Sequence, residues 1–529
     1  MLNIKQHKIT QPLNCGCGKF LKMSLKKIKT SHLKFVLAYS TLLFGVCNGI
    51  NFSKFSKWFH LKEQFDYSGL AAFFAVGLCV TIALFALIST RKTTKLFAIL
   101  FVILGTIATY FTAKYNVAID RSMIMNAINT DPDEVHSLLS INMLPYVLCL
   151  TVLPIILIAF CEITFAKNYF WSSLKLSAIA LILGISILYA KFDSISRAAN
   201  LSKKYILHSM VPLNYIQSFG SIFQHSVAPH FSKQKKEITI SGTITKKENL
   251  IVVLAIGETS RQKSFSLYGY DKNTNPLLSK DKKLHILNGK ARLGSTLYAL
   301  PEILTKDDVT LPAVTHKLGI ETACYANYTL YDNCKTPGET RVSNCGHNGV
   351  CYDEDVLPLL NQNLKSYKSG SRLVVLHLGG GSHGPSYHER YPKEFQQFKP
   401  MCFDADVVNE CNMQELYNAY DNTILYVDYV LSKIIGQLDE SKLPYVFIYL
   451  SDHGESLMED GHIFHGMPPG IALPAEQAQI PLIIKSSIPI TIQKRSEYSQ
   501  RDIFDTVLDL LSIDSNVSDK SRSFIKKQQ

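Results

Sequence analysis

Charged residues are scarce in this chain, and acidic residues are nearly missing from its first third. Of 529 residues, 19% are charged and 47% are hydrophobic. Residues 1–191 contain 19 basic and 7 acidic residues, whereas the remaining residues contain 36 of each, so the net charge of +12 lies in the first third. A nucleic-acid-binding protein would instead carry its basic excess on the surface of a folded domain. The distribution excludes nucleic acid as the expected partner and favours a membrane-embedded N-terminal part.

Glycine and proline are also too few for a fibrous or disordered chain. The sequence contains 28 Gly and 20 Pro beside 28 Phe and 26 Tyr. This composition excludes a collagen-like or intrinsically disordered protein. At roughly 150 residues per domain, the length predicts more than one folded unit.

Five apolar runs divide the first third, each close to the ~20 residues that cross ~30 Å of hydrocarbon. They lie at about residues 35–53, 67–90, 96–113, 143–161 and 170–190. The fifth run contains Lys175 near its start, and a lysine at that place can extend its amine to the interface. Residues 1–191 are therefore predicted to form a membrane domain with five transmembrane helices.

The lysine distribution predicts the orientation of these helices. Residues 1–34 contain eight lysines and no acidic residue, which places the N-terminus in the cytoplasm by the positive-inside rule. Five spans then place the rest of the chain in the periplasm of a bacterial inner membrane. A cleaved signal peptide is the alternative for the first run.

Cysteine spacing supports the same compartment. After residue 191 the cysteines occur as three close pairs, Cys324/Cys334, Cys345/Cys351 and Cys402/Cys411. Such pairs predict three short disulfide loops, which require an oxidising compartment. Metal-binding knuckles are the alternative, but none of the pairs has the two-to-four-residue spacing of a structural zinc site.

Residues 192–245 are predicted to bridge the membrane domain and the C-terminal domain. The run "ILHSMVPLNYIQSFGSIF" mixes apolar, aromatic and polar residues, which is typical of short helices on the bilayer surface. A packed connector helix is the alternative. The segment "RSMIMNAINTDPDEVHSLLS" in the third loop predicts another short external helix.

Residues 246–529 are predicted to form a periplasmic α/β domain. The runs "NLIVVLAIGE", "RLVVLHLGG" and "YVFIYLSD" are short and continuously apolar, as parallel strands covered on both faces are. Helical stretches such as "ELYNAYDNTILYVDYVLSKIIGQL" alternate with them. The pattern predicts a mostly parallel sheet sandwiched by helices.

Two of these strands end in residues that bind metals. Glu258 follows the first strand, and Asp452 and His453 follow the last. Ligands in open α/β sheets bind beyond the carboxyl ends of strands, and two carboxylates with one imidazole suit zinc with a fourth position open. An ordinary helix cap or solvated loop residue is the alternative for each acid taken alone.

Two further histidines stand near turns that suit a phosphate. His383 follows the glycine run in "HLGGGSHGP", and His465 stands in "HIFHGMPP". The alternative for either histidine is a hydrogen-bonded residue with no part in chemistry.

The blocks "VVLAIGETSRQKSFSLYGYDKNTNP", "STLYALP", "HLGGGSHGPSYHERYP" and "LSDHGESLMEDGHIFHGMP" resemble, in order, those of the lipid A phosphoethanolamine transferases. That family belongs to the alkaline phosphatase superfamily and includes the polymyxin-resistance enzymes. The resemblance implies an alkaline phosphatase-like fold. It also implies a zinc ion bound by Glu258, Thr296, Asp452 and His453.

The resemblance further implies that Thr296 is the nucleophile, with Ser295 as the competing candidate. His383 and His465 match histidines that contact the phosphoryl group or a second zinc. Many relatives have a disulfide around the nucleophile helix, but Arg292 and Glu302 stand at those positions here. An ion pair between them is the expected substitute.

The resemblance implies a reaction that transfers phosphoethanolamine from phosphatidylethanolamine to lipid A through a covalent intermediate on Thr296. The protein is expected to be a monomer surrounded by membrane lipids. A core sugar, a protein or a glycan is the alternative acceptor. A related phosphodiesterase or sulfatase, which uses water, is another alternative. A silent membrane receptor with this fold is disfavoured because Glu258, Thr296, Asp452 and His453 are all present.

Overall fold

The structure is a computed structural model of the whole chain. It describes residues 27–60, 64–115, 117–129, 141–202, 205–224, 239–327, 333–334, 339–341, 351–379, 381–404, 406–467 and 469–528.

Five helices in the N-terminal region are long and apolar enough to cross a membrane, so the predicted five-span domain is confirmed. They are α1 (His32–Ile50), α2 (Tyr67–Ile88), α3 (Thr94–Tyr115), α5 (Ile141–Phe160) and α6 (Tyr169–Ala190), and the short helix α4 (Arg121–Asn129) lies between α3 and α5. Helix α1 begins three residues before the apolar run because the Ser31 side chain accepts a hydrogen bond from the Lys34 amide and caps it.

Small residues let helix α6 pack closely on α2. Its buried residues are Ser173, Ser177, Ala180 and Gly184. A Cβ atom added at Gly184 would lie 3.1 Å from Cys79 Cβ on α2. Close approach of small residues is the usual way in which helices associate where lipid removes the hydrophobic driving force.

Helix α5 is irregular where the sequence requires it. Residues Val147–Val152 are π-helical, and Pro154 follows them. Proline has no amide hydrogen to donate to the preceding turn, and a π-helical stretch is one way to rearrange the carbonyls left behind. Thr151 donates to Thr106 at 2.8 Å, which ties the irregular stretch to α3.

Helices α7 (Phe192–Leu201) and α8 (Leu213–Ile222) follow the last span. Asn48 of α1 donates to the carbonyl of Val211 at 2.7 Å and accepts from its amide at 2.9 Å, so the start of α8 is fixed to the first span. Tyr215 of α8 is buried among the membrane helices, whereas Phe219 is exposed. This segment therefore combines packed and exposed apolar residues.

The C-terminal domain contains an eight-stranded sheet. Its strands are β1 (Ile251–Gly257), β2 (His285–Lys290), β3 (Glu321–Ala326), β4 (Glu339–Arg341), β5 (Arg372–Leu378), β6 (Tyr445–Ser451), β7 (Gln479–Ser486) and β8 (Tyr498–Ser499), in the spatial order β8-β2-β7-β6-β1-β5-β3-β4. Only β7 runs antiparallel to its neighbours among these strands. The mostly parallel sheet is confirmed.

Helices cover both faces of this sheet, as predicted. They are α9 (Thr296–Leu304), α10 (Leu311–Lys317), α11 (Leu357–Lys365), α12 (Met413–Ser441) and α13 (Asp502–Leu510). Val253 and Ala255 of β1 pack with residues of α11 and α12, whereas Val252 and Leu254 pack with residues of α9, α10 and α13. Alternation of side chains along a strand explains why the central strands are apolar throughout.

The two domains meet at the end of α3. Lys114 in the last turn of α3 forms an ion pair with the buried Asp406, and Asn142 at the start of α5 donates to the same carboxylate. The Tyr115 and Phe464 rings lie 5.5 Å apart. The C-terminal domain is thus joined to the membrane domain by polar and aromatic contacts.

Two of the three predicted disulfides are present, Cys324–Cys334 and Cys402–Cys411. These four cysteines therefore do not form metal knuckles. The third predicted pair includes Cys345, which lies outside the described residues, so that pairing stays a prediction.

Candidate active site

Three predicted metal ligands meet at the carboxyl ends of two neighbouring strands. β1 and β6 are parallel, with Gly257 opposite Ser451. Glu258 follows the first strand and Asp452 and His453 follow the second, so the register brings their side chains together. One donor atom from each lies within 4.8 Å of the others, and all three residues are buried.

Thr296 joins this cluster from the start of helix α9. Its Oγ1 donates to the Glu258 carboxylate at 2.9 Å and lies 3.5 Å from His453 Nε2. Ser295, the competing nucleophile, is the N-cap residue with an extended backbone. The structure therefore brings all four predicted ligand residues to one place.

The hydrogen bonds around the cluster orient its side chains so that their lone pairs can bind a cation. His453 Nδ1 lies 3.1 Å from the carbonyl oxygen of Gly454, which favours a proton on Nδ1 and a lone pair on Nε2. Asp452 Oδ1 accepts from the amides of Thr259 and His453. Its Oδ2 is buried without a hydrogen-bond partner in the described part of the chain and lies 3.1 Å from His453 Nε2.

Burial lowers the pKa of His453 to about 4, so its imidazole is neutral at physiological pH. Two buried carboxylates beside a neutral imidazole favour a positively charged ligand, because buried charge is costly unless it is paired or coordinates a metal. Oxygen and imidazole donors without thiolates suit zinc. The residues present therefore fit a divalent metal ion.

Sequence reasoning gave no metal-site role to His377, which lies in β5. Its side chain is buried, and its Nε2 is 3.8 Å from Glu258 Oε2. A histidine inside a continuously apolar strand is a signal that could have identified it, because such a position normally holds an aliphatic residue.

The two predicted phosphate-contacting histidines lie side by side next to the cluster. The ring centroids of His383 and His465 are 4.7 Å apart, and those of His465 and His453 are 4.6 Å apart. His465 Nδ1 lies 2.8 Å from the Glu455 carboxylate, and His383 Nδ1 lies 2.6 Å from the carbonyl oxygen of Gly384. These two contacts favour a proton on Nδ1 of both rings.

Glu455 is the second residue to which sequence reasoning gave no role, although it belongs to the Asp452–Glu455 run. It is fully buried, and it accepts from the Tyr387 hydroxyl at 2.9 Å and from the Gly384 amide at 3.3 Å. The same carboxylate binds His465, so it links the two loops that carry the histidines. A third charged residue so close to two metal ligands was the available signal.

An apolar cavity of about 390 Å³ opens from the histidine pair toward the membrane domain. Its inner end contains His383, Gly384, His465 and Gly466. Its walls come from α3, α4 and α8 and include Ile107, Phe111, Met123, Ile124, Tyr215 and Phe219. The site therefore has a buried polar side in the catalytic domain and an apolar side in the membrane domain.

The expected ion pair near the nucleophile helix is present but is not the main contact. Arg292 Nη1 lies 3.5 Å from Glu302 Oε2. Arg501 of the segment before α13 binds the same carboxylate through two nitrogens, with Nη2 at 2.6 Å from Oε1. Glu302 thus ties α9 to Arg501 more closely than to Arg292.

Comparison with known proteins identifies the same architecture. A family model described as "Phosphoethanolamine transferase EptA/EptB" matches residues 77–227, and one described as "Sulfatase" matches residues 250–513. The phosphoethanolamine transferase EptA of Helicobacter pylori is 32% identical over 510 residues, which cover 90% of this chain and 94% of the relative. The Kdo(2)-lipid A phosphoethanolamine 7''-transferase of Escherichia coli K12 is 26% identical over 505 residues, or 87% of each chain.

The integral membrane protein lipooligosaccharide phosphoethanolamine transferase A of Neisseria meningitidis has the same fold. Its structure matches with a TM-score of 0.84 at 24% identity, over 94% of this chain and 98% of that one. The match spans both the membrane helices and the α/β domain. Together with the 32% identity to the Helicobacter pylori relative over 90% of this chain, the match shows that the chain is an enzyme that belongs to the phosphoethanolamine transferase family.

Proposed function

We propose that this protein transfers phosphoethanolamine from phosphatidylethanolamine to lipid A, with Thr296 as the nucleophile. The observation that carries the proposal is the position of the Thr296 hydroxyl. It lies at the start of a helix, in hydrogen-bond contact with Glu258 and beside His453, where a buried cluster, a histidine pair and an apolar cavity meet.

Glu258, Thr296, Asp452 and His453 are proposed to hold a zinc ion. When bound, zinc supplies the positive charge that lowers the pKa of a hydroxyl and neutralises charge in the transition state. The protein's own part is to hold two carboxylates and a neutral imidazole in fixed positions. The amides of Thr259 and His453 and the carbonyl oxygen of Gly454 do this.

The reaction proceeds in two displacements. Thr296 Oγ1 forms a bond to the donor phosphorus, the bond from phosphorus to the glycerol oxygen breaks, and diacylglycerol leaves with a proton. A phosphoethanolamine ester remains on Thr296. A lipid A oxygen then attacks the same phosphorus and the threonine oxygen leaves, which regenerates the hydroxyl.

His383 and His465 are proposed to contact the phosphoryl group and to exchange a proton with the leaving and attacking oxygens. The Glu455 carboxylate stabilises a positive charge on His465 and keeps the exchangeable proton at Nε2. Because Thr296 is the first residue of α9, the phosphoryl group would also lie at the positive end of a helix.

The apolar cavity supports a lipid donor. It runs from the histidine pair along α3, α4 and α8, so acyl chains can lie on membrane helices while the headgroup lies at Thr296. The name of the Escherichia coli relative supports lipid A as the acceptor. Each transfer would add an amine to a phosphorylated lipid, which reduces the negative charge that attracts polymyxin and other cationic peptides.

We further propose that the protein resides as a monomer in the bacterial inner membrane. Residues 1–191 would form the membrane domain, residues 192–245 the interfacial bridge and residues 246–529 the periplasmic domain. The disulfides Cys324–Cys334 and Cys402–Cys411 support an oxidising compartment for the last of these.

The nucleophile is tested by trapping the intermediate. Protein incubated with phosphatidylethanolamine and no acceptor should carry a phosphoethanolamine group on the peptide that contains Thr296. Thr296→Ala should lose both the adduct and the transfer, and Thr296→Ser should retain part of the activity because a primary hydroxyl can perform the same chemistry. Ser295→Ala is the matched control and should keep the adduct.

An adduct that maps to Ser295, or an active Thr296→Ala variant, would contradict the assignment. The acceptor is tested separately by mass spectrometry of lipid A from cells that express the active protein or the Thr296→Ala variant. Unmodified lipid A together with a normal adduct on Thr296 would favour a core sugar, a protein, a glycan or water as the acceptor.

A further inference from the structure

The catalytic domain exposes few large apolar side chains, and two of the three lie at one disulfide. Among the described residues after position 245, the large hydrophobic residues classed as exposed are Phe403, Met413 and Leu277, with exposed fractions of 61%, 45% and 36%. Phe403 follows Cys402, and Met413 stands two residues after Cys411. The Cα atoms of these two cysteines are 5.6 Å apart, so Phe403 inside the disulfide loop and Met413 at the start of α12 stand on either side of one disulfide.

The position of this loop relative to the membrane is given by Asp406. That residue lies inside the loop and is bound by Lys114, in the last turn of α3, and by Asn142, in the first turn of α5. Both contacts are at span ends on the side of the catalytic domain. Asp406 therefore lies at the edge of the hydrocarbon layer, and Phe403, three residues away, lies within about 11 Å of it.

The span beside the loop presents an apolar surface at the same level. Ile141 and Leu144, at the start of α5, have exposed fractions of 79% and 48%, and Asn142 between them contacts Asp406. Because α5 crosses the membrane, these side chains face lipid. Aromatic residues are enriched where a bilayer meets water, and the exposed Phe403 stands three residues from the Asp406 that these span ends bind.

We propose that the Cys402–Cys411 loop is a membrane-docking loop, with Phe403 and Met413 inserted into the outer lipid surface of the membrane that the five helices cross. The docking loop comprises the described residues 402–404 and 406–413. The partner is the lipid surface itself, because the loop is held beside the ends of two spans whose own exposed side chains there are apolar.

The docking loop also contacts the segment that carries an active-site histidine. The Phe403 and His388 rings are in edge contact with their centroids 5.3 Å apart. Two residues further on, Arg390 Nε donates to the carbonyl oxygen of His383 at 3.1 Å. Lipid contact at Phe403 thus supports the loop on which His383 is held.

Fluorescence of a single tryptophan tests this docking. The chain contains two tryptophans, Trp58 and Trp171, and both are replaced by Phe. Phe403→Trp is then introduced, and the full-length protein is reconstituted into phosphatidylethanolamine vesicles containing lipids brominated near the top of their acyl chains. Bromine quenches only tryptophans that enter the bilayer, so we expect the emission of this variant to fall by about half, as for an aromatic residue at the interface.

Leu277→Trp in the same background is the matched control. The Leu277 amide donates to Asp428 of α12, which is fifteen residues beyond Met413 and so about 22 Å along the helix. The tryptophan emission of the Leu277→Trp variant should be unchanged by brominated lipid and quenched by aqueous acrylamide. Met413→Trp provides a second probe of the docking loop should Phe403→Trp misfold.

Two outcomes would overturn the proposal. Quenching of both loop probes by acrylamide but not by brominated lipid would place the loop in water. Protection of both from either quencher would place them against protein, such as a second copy of the chain. The readout needs no catalysis, so its failure is independent of any failure of the proposed transfer reaction.

Discussion

The two halves of the active site are built in different ways. Glu258, Asp452 and His453 directly follow two central strands, and their side chains are buried within the catalytic domain. His383 and His465 lie on loops, and their outer side is an apolar cavity formed by membrane helices. The strand half, which consists of Glu258, Asp452 and His453, can be positioned by the α/β fold alone. The loop half, which consists of His383 and His465, also depends on Glu455 and on the membrane domain. The strand half should therefore determine whether the transfer reaction occurs at all. The loop half should determine the rate of the reaction and which lipid donor is used.

The strongest test of the strand half removes one carboxylate. Asp452→Asn should lose the bound metal and lower transfer by about a thousandfold, because a catalytic metal supplies several kcal/mol of charge stabilisation. Metal content by elemental mass spectrometry and transfer to lipid A are the measurements. Asp460→Asn is the matched control, since Asp460 is exposed in the same loop at a positive φ that asparagine also adopts.

Full metal occupancy and full activity in Asp452→Asn would show that the ligand set is wrong. Loss of activity with the metal retained would instead show that Asp452 balances charge and is not a metal ligand. That result would weaken the distinction between the two halves.

The loop half is tested through Glu455. Glu455→Gln keeps an acceptor for the Tyr387 hydroxyl but removes the negative charge beside His465. Turnover should fall by about a hundredfold, as expected for a weakened general acid or base, while the metal content stays normal. Combined measurement of turnover and metal content separates this result from that of Asp452→Asn.

A Glu455→Gln variant that also loses its metal would contradict the comparison, because the carboxylate would then support the strand half as well. Unchanged turnover would show that His465 takes no part in proton transfer.

The contrast between the halves also explains what could be predicted from the sequence. The apolar runs that end in Glu258 and Asp452-His453 predicted the strands and the meeting of these three side chains, because parallel strands place their carboxyl ends at one edge. The role of Glu455 depends on a loop whose path no local pattern specifies. The contacts of Lys114 with Asp406 and of Arg501 with Glu302 join residues far apart in sequence, and a single sequence has no signal for such pairs.

In the membrane domain, too, the sequence predicted the local elements but not the contacts between distant residues. Length and composition predicted five spans, because the hydrocarbon thickness fixes how many apolar residues are needed. The apolar run does not give the first residue of α1, which begins three residues earlier because the Ser31 cap lies outside the run. The apolar cavity was not predicted, since it forms only where α3, α4 and α8 meet the histidine loops.

Filling that cavity should have a smaller effect on the reaction. Ala127 of α4 lines the cavity and is exposed, so Ala127→Trp can be accommodated without displacing a packed residue. We expect the KM for long-chain phosphatidylethanolamine to rise about tenfold with little change in kcat, because bulk in an apolar pocket weakens ground-state and transition-state binding alike.

A water-soluble donor with very short acyl chains should show no difference between Ala127→Trp and the unmodified protein. Leu201→Trp, an exposed position on α7 outside the cavity, is the matched control for adding an indole at the membrane surface. An equal rise in KM for both donors would mean that the cavity does not receive acyl chains.

The smallest expected effect concerns the ion pairs at the position where relatives have a disulfide. Glu302 binds Arg501 and Arg292, whose side chains are about half exposed. Exposed ion pairs contribute about 0–1 kcal/mol, whereas Ala299, Leu300 and Ile303 on the inner face of α9 are fully buried. We therefore expect Glu302→Gln to lower the free energy of unfolding by less than about 1 kcal/mol, and Leu300→Ala to lower it by about 2–5 kcal/mol.

Denaturant unfolding of the purified protein measures both variants, and the transfer rate of Glu302→Gln should be close to that of the unmodified protein. The reason is that Thr296 is positioned by the packed side of its helix and by Glu258, not by the side that faces the two arginines. A large loss of stability or activity in Glu302→Gln would mean that the ion pairs replace the disulfide as the support of the nucleophile. The position of Thr296 would then depend on electrostatic contacts at the surface, and the transfer rate would fall as added salt screens those pairs.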